Sequence, residues 1–178
     1  MHAEIVASIL EKDWYPSVLK VVNAVPPDGG EAKDRYTCAI LVNWLIKFYN
    51  NNQRRRSIEP PNETKSTYYG IPIEVGSRWI SLFTTAVPGK DGKNSYAMSK
   101  QNRDKCVVHI LLLYMMAEGP KMKISNLKPV AEDIKVTVAD CGQMLRLAGC
   151  HVVKKGTQMV ATLKTPLTFP PPRRGITK

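Results

Sequence analysis

Cysteine is scarce and shows no paired spacing. The four thiols, Cys38, Cys106, Cys141 and Cys150, include no C-x-x-C pair, and no histidine stands at zinc-ligand spacing from them. That excludes the common zinc modules and argues against a disulfide framework, so reduced, buried thiols in an intracellular protein are expected. Long apolar runs are also missing. The most apolar stretch, Val107 to Ala117, is interrupted by His109, and at about 1.5 Å per residue it is too short to cross a bilayer. The opening MHAEIVASILEKDW carries Glu4 and Glu11 without a basic flank and does not read as a signal peptide. The three histidines, His2, His109 and His151, are scattered. His109, inside an apolar helical stretch, is expected to be a satisfied core residue. The chain has no Ser/His/Asp pattern, no paired carboxylates in a plausible pocket and no metal set. No enzyme activity, cofactor or metal is expected.

Acidic residues are few against the basic ones. Asp and Glu total 15 and Lys and Arg 26, for a formal charge of +11. Such an excess costs a compact fold self-repulsion and reflects an acidic partner: nucleic acid, an anionic membrane or an acidic protein surface. With 43% hydrophobic residues the chain is globular. Its 178 residues suffice for one large domain or two small ones.

Periodicity then places the elements. Ile5, Ile9 and Lys12 fall in a first helix, and a second runs from about Pro16 to Ala24 with Val18, Val21, Val22 and Val25 on one face. PPDGGEAK breaks it. A strong helix follows from Asp34 to about Asn51, then a polar, breaker-rich loop, QRRRSIEPPNETKST. Pro72 suits the first position of a helix through PIEVGSRWISLFTT, with Val75, Trp79, Leu82 and Phe83 inward. The turn-forming PGKDGKNS is flanked by TTAV and YAMS. Trp14, Trp44 and Trp79 are expected in the core.

The second half repeats this order more clearly. A helix from about Gln101 to Glu118 stops at Gly119-Pro120, and KMKI is a short strand. Asn126 caps a brief helix with Leu127, Val130, Ala131 and Ile134 inward. KVTVADCGQMLRLAG makes another, with Val138, Cys141, Leu145 and Ala148 inward. His151–Val153 and Met159–Leu163 then form a ribbon turned at Gly156. Helix, strand, helix, turn, helix and hairpin are the order of a winged helix. The two strong helices are apolar nearly all round, with Cys38 and Cys106 at matching places. Each must therefore be covered on all sides, which suggests two modules joined rigidly near SKQNRD.

The expected fold is mainly α with small β-hairpins, a tandem winged helix preceded by N-terminal helices. Its parts are N-terminal helices and linker (1–31), a first winged helix (32–100), a second (101–165) and a flexible basic tail (166–178).

Three blocks carry a family resemblance: DRYTCAILVNWLIKF, LLLYMMAEGPKMKISNLKPVAEDIKVTVADCGQMLRLAGCHVVKK and ATLKTPLTFP. From about Trp14 to Pro170 the chain resembles the C-terminal half of the forty-nine-kilodalton-class subunit of eukaryotic RNA polymerase I. The animal counterpart of that subunit is the polymerase-associated factor of fifty-three kilodaltons. The resemblance implies a tandem winged helix similar to the small subunit of TFIIE. It implies DNA binding in support of initiation and elongation on ribosomal genes, other polymerase I subunits as partners, and a place in the nucleus and nucleolus. The β-barrel N-terminal half of that family has no counterpart here, which implies that Met1 need not be the natural start. No catalytic signature carries over.

The cations expected to meet double-stranded DNA are Arg54, Arg55, Arg56, Arg78, Lys90, Lys93, Lys135, Arg146, Lys154 and Lys155. Arg54 to Arg56 end a helix, where capping alone would explain some positive charge; three in a row also suit phosphate oxygens. Lys154 and Lys155 at the ribbon tip serve either solubility or phosphate contact. Lys90 and Lys93 occupy the same place in the first module, although PGKDGKNS lacks the spacing of a phosphate-binding loop. Thr137, Asp140, Gln143 and Arg146 form the outward face of the last helix. Asp140 would repel phosphates there, so this helix is equally a protein-docking face. Binding is therefore expected to be nonspecific and carried by the DNA backbone, with no membrane or small-molecule partner. The alternatives are a protein-docking module without DNA binding and an RNA-binding ribosome-assembly factor.

Overall fold

The computed structural model describes residues 13–26, 30–62, 64–88, 94–164, 166, 167 and 169. The expected helix around Ile5 and Ile9, the loop holding Lys90 and Lys93, and tail residues 170–178 lie outside the described residues.

Six helices and three small antiparallel sheets follow among the described residues: α1 (Pro16–Asn23), α2 (Ala32–Asn52), β1 (Thr67–Tyr68), β2 (Ile71–Pro72), α3 (Ile73–Phe83), β3 (Thr85–Pro88), β4 (Asn94–Ala97), α4 (Lys100–Glu118), β5 (Lys123–Ile124), α5 (Lys128–Asp133), α6 (Val138–Leu147), β6 (His151–Lys155) and β7 (Gln158–Thr162). The protein is mainly α with small β-hairpins.

Local chemistry sets several helix ends. The Ser99 hydroxyl accepts from Asn102 N at 3.1 Å and starts α4, and Gly119, at φ 127°, ends it. Thr137 accepts from Asp140 N at 3.1 Å and starts α6. Pro72 lies just outside α3 and not at its first position. Asn126 stands one residue before the cap of α5, yet its side chain still accepts from Lys128 N at 3.0 Å.

The long helices α2 and α4 pack antiparallel at the centre of one continuous core. Val42, Ile46, Val107, Ile110 and Leu111 are fully enclosed in it. Burial on nearly every side explains why neither helix shows a one-sided apolar pattern. In the first half, Phe48 meets Trp79 edge-on at 5.7 Å and Phe83 at 6.2 Å. In the second, Leu127, Val130, Ala131, Ile134, Cys141 and Leu145 face inward as their spacing predicts. Trp14 and Trp44 pack at its edge, partly buried.

The halves share a topological feature. β5 pairs with β7, which pairs with β6; Ile124 lies opposite Ala161. In the first half β3 pairs with β4, and Ile58 forms a single bridge to Tyr96 in β4 through bonds of 2.7 and 3.0 Å. Each hairpin thus takes a third strand from the segment after the long helix, reduced to one residue in the first half. Ile58 and Ile124 are both fully buried.

Helix α1 ties the halves together. Tyr15 N donates to Asn43 Oδ1 at 3.0 Å, Ser17 N donates to Asp133 Oδ2 at 2.9 Å, and the Tyr114 hydroxyl donates to the Ser17 carbonyl at 3.2 Å.

Three expectations need correction. Leu82 is 44% exposed; Ile80, one turn after Gly76, takes the inward place, and Leu82 falls past the edge of the buried face. His109 is exposed, not core. Its ring lies edge-on to Phe83 at 5.3 Å, and its Nδ1 meets the Lys105 carbonyl at 2.8 Å. The polar loop contains an unforeseen hairpin, β1–β2, turned at Tyr69 and Gly70, both with positive φ. Of the expected flexible tail, Leu167 and Phe169 lie against Gly149.

Candidate nucleic-acid interface

Among the described residues most of the positive charge is left unpaired. Among the described residues there are two ion pairs, Lys47–Asp13 at 3.3 Å and Lys128–Glu132 at 3.8 Å. The remaining cations sort by what their side chains already hold.

Arg54, Arg55 and Arg56 occupy the exposed loop after α2. Arg55 is engaged: its Nε donates to the Asn51 carbonyl at 2.8 Å, and its guanidinium lies 5.4 Å from the centre of the Tyr69 ring. Arg54 and Arg56 flank it without such ties among the described residues. Arg78 is exposed on α3, one turn after the exposed Glu74. Arg146 is exposed on α6 but donates to the Val152 carbonyl at 3.3 Å, stitching its helix to β6. Lys154 and Lys155 are exposed at the end of β6, beside the turn at Gly156, whose φ is 59°.

Lys135 is exposed in the turn between α5 and α6 and lines a groove of about 520 Å³. Lys100 and Arg103, from the first turn of α4, line the same groove with Thr137, Asp140 and Leu147. Its floor includes Tyr49, whose phenol is pushed up to about 12 by burial and stays neutral. Arg103 Nη1 donates to the Gln53 carbonyl at 3.0 Å, so the groove adjoins the loop that begins at Arg54. The structure thus brings Lys135 together with two cations that periodicity did not single out. A signal for Arg103 was present, because it stands three residues before Cys106 as Arg35 stands before Cys38. Arg78, Arg146, Lys154 and Lys155 are not among the groove's lining residues.

Asp140 has a structural role that its charge did not suggest. It accepts from the Thr137 hydroxyl at 2.6 Å while its own N–H bonds that oxygen, a reciprocal cap on α6. Asp104 also lines the groove, so carboxylates oppose its cations. The thiols are free and buried, and burial pushes Cys141 up to about 12, which leaves it unreactive at neutral pH.

No curated protein matches the chain. A sequence model of the A49-like RNA polymerase I associated factor family matches residues 2–170. The chain belongs to that family.

Proposed function

We propose that this chain is a sequence-independent DNA-binding module of an RNA polymerase I subunit, non-catalytic, supporting initiation and elongation on ribosomal RNA genes in the nucleolus. In this reading residues 32–100 and 101–165 are two winged helices, 1–31 a brace of N-terminal helices and 166–178 a basic tail. The strand order β5-β7-β6 and the Ile58 bridge support that division.

The observation that carries the function is the unpaired charge: +11 overall, with two ion pairs among the described residues. A fold keeps such repulsion when a polyanion neutralises it. Base reading is not expected, since the outward face of α6 has Asp140 tied to Thr137 and Arg146 tied to Val152. The test is duplex binding across a salt series. Affinity should fall steeply with salt and vary little with sequence. Reversing Arg54 and Arg56, or Lys154 and Lys155, to glutamate should weaken it. Salt-insensitive binding, or none, defeats the proposal.

A second reading rests on Leu147, which is 61% exposed near the end of α6. There α6 docks on another polymerase I subunit. Leu147→Ser would then weaken co-purification with the polymerase.

A further inference from the structure

Two helix ends in the second half close with the same pair of hydrogen bonds. At the end of α6, Gly149 N bonds the Arg146 carbonyl at 3.0 Å, and Cys150 N bonds the Leu145 carbonyl at 2.9 Å; Gly149 has φ 87°. At the end of α5, Lys135 N bonds the Glu132 carbonyl at 3.1 Å, and Val136 N bonds the Ala131 carbonyl at 3.0 Å; Lys135 has φ 56°. This closure needs a left-handed residue, and glycine takes that place because it has no Cβ to clash with the backbone. Lysine there strains the turn. The side chain is exposed and makes no hydrogen bond or ion pair among the described residues. What it does reach is the groove lined by Lys100 and Arg103.

We propose that this groove seats the sugar–phosphate backbone of duplex DNA, and that Lys135 tolerates a strained turn because its ammonium is needed at the rim. The inference rests on the DNA-binding reading and locates its site. Three cations from two separate parts of the chain converge on a cavity large enough for a nucleotide unit, at the head of the Arg54–Arg56 loop. Met144 and Leu147 offer an apolar wall for deoxyribose edges. Asp104 and Asp140 in the same groove give its charges opposite signs, which makes the proposal testable in both directions.

The experiment uses the full chain, a fluorescent duplex, anisotropy titrations from low to moderate salt, and thermal melting. Lys135→Gly should melt at or above the wild-type temperature, yet bind several-fold more weakly, with a salt slope shallower by about one. Lys100→Ala should lower the slope by a similar amount, and Asp104→Asn should tighten binding. If Lys135→Gly or Lys100→Ala binds with wild-type affinity and slope, while reversal of Arg54 and Arg56 weakens the wild type, the groove is wrong and the DNA reading survives. If Lys135→Gly melts well below the wild type, the strain argument fails. If the wild-type chain shows no salt-dependent affinity for the duplex, both readings fall together.

Discussion

Arg103 Nη1 donates to the carbonyl of Gln53 at 3.0 Å across fifty residues of sequence. At the opposite end of the same helix pair, Arg35 returns the arrangement, its Nε donating to the Ala117 carbonyl and its Nη2 to the Glu118 carbonyl, both at 3.0 Å. Each long helix thus sends an arginine from its first turn to the carbonyls that its antiparallel neighbour leaves unpaired. The cation also meets the negative end of that neighbour's dipole. With Cys38 and Cys106 three residues further on, the pair gives the two halves a matched seam.

Arg35→Met should cost about 1.5–3 kcal/mol, since it removes charge-assisted bonds to two carbonyls that are then left without partners. Arg103→Met should cost less, because one bond is lost. Urea denaturation measures both. DNA affinity discriminates between them: it should fall for Arg103→Met, which borders the groove, and hold for Arg35→Met.

Ile58 stands alone between a polar loop and the core, yet it is fully buried and bridges Tyr96. Ile58→Ala should destabilise by about 2–4 kcal/mol, like Ile124→Ala at the matching place, because each leaves a cavity behind a strand. A cost near zero in chemical denaturation would show that the Ile58 bridge does not anchor the β3–β4 hairpin.

Gly142 lies where α6 crosses the last hairpin. A Cβ built there would meet Met159 Sδ at 2.5 Å and Val152 Cγ1 at 3.5 Å. Met159 can swing aside for a methyl group, so Gly142→Ala should be mild. Gly142→Leu should push the hairpin off the helix and cost about 1–3 kcal/mol, read as a lower melting temperature.

Burial raises the Glu118 carboxyl above the usual range, against the pull of Lys20, Lys123 and Arg35. A folded pKa above the unfolded one means the native state holds the proton more tightly. The associated stability is complete below the unfolded value of about 4.3 and is lost as pH rises through the folded value. Glu118→Gln should therefore match the wild type in acid and become relatively more stable toward neutrality. Denaturation curves at a series of pH values check this; parallel curves throughout would contradict it.

Much of the architecture is legible residue by residue. The 3.6-residue spacing of Leu127, Val130, Ala131 and Ile134 names the buried face of α5, and Gly156 between two alternating stretches names the β6–β7 turn. Such signals are local, since they follow from propensity and from the period with which a helix or strand presents its side chains. Failures occur where burial depends on a neighbour. Leu82 carries an apolar signature but falls outside the packed face, and His109 sits in an apolar run on the side that α2 does not cover. Tyr69 takes a left-handed turn that its residue type disfavours, and its ring receives Arg55.

The sequence by itself determined the excess of cations and most of the helical and hairpin segments, because composition and short-range periodicity need no partner to be read, and the order of its blocks carried the family resemblance. Only the tertiary structure decided which cations meet. The groove joins Lys135 to Lys100 and Arg103 because α6 packs against α4, bringing the turn before α6 to the first turn of α4. That packing arises from the shared apolar core, and no local pattern around Lys135 encodes which surface will face it.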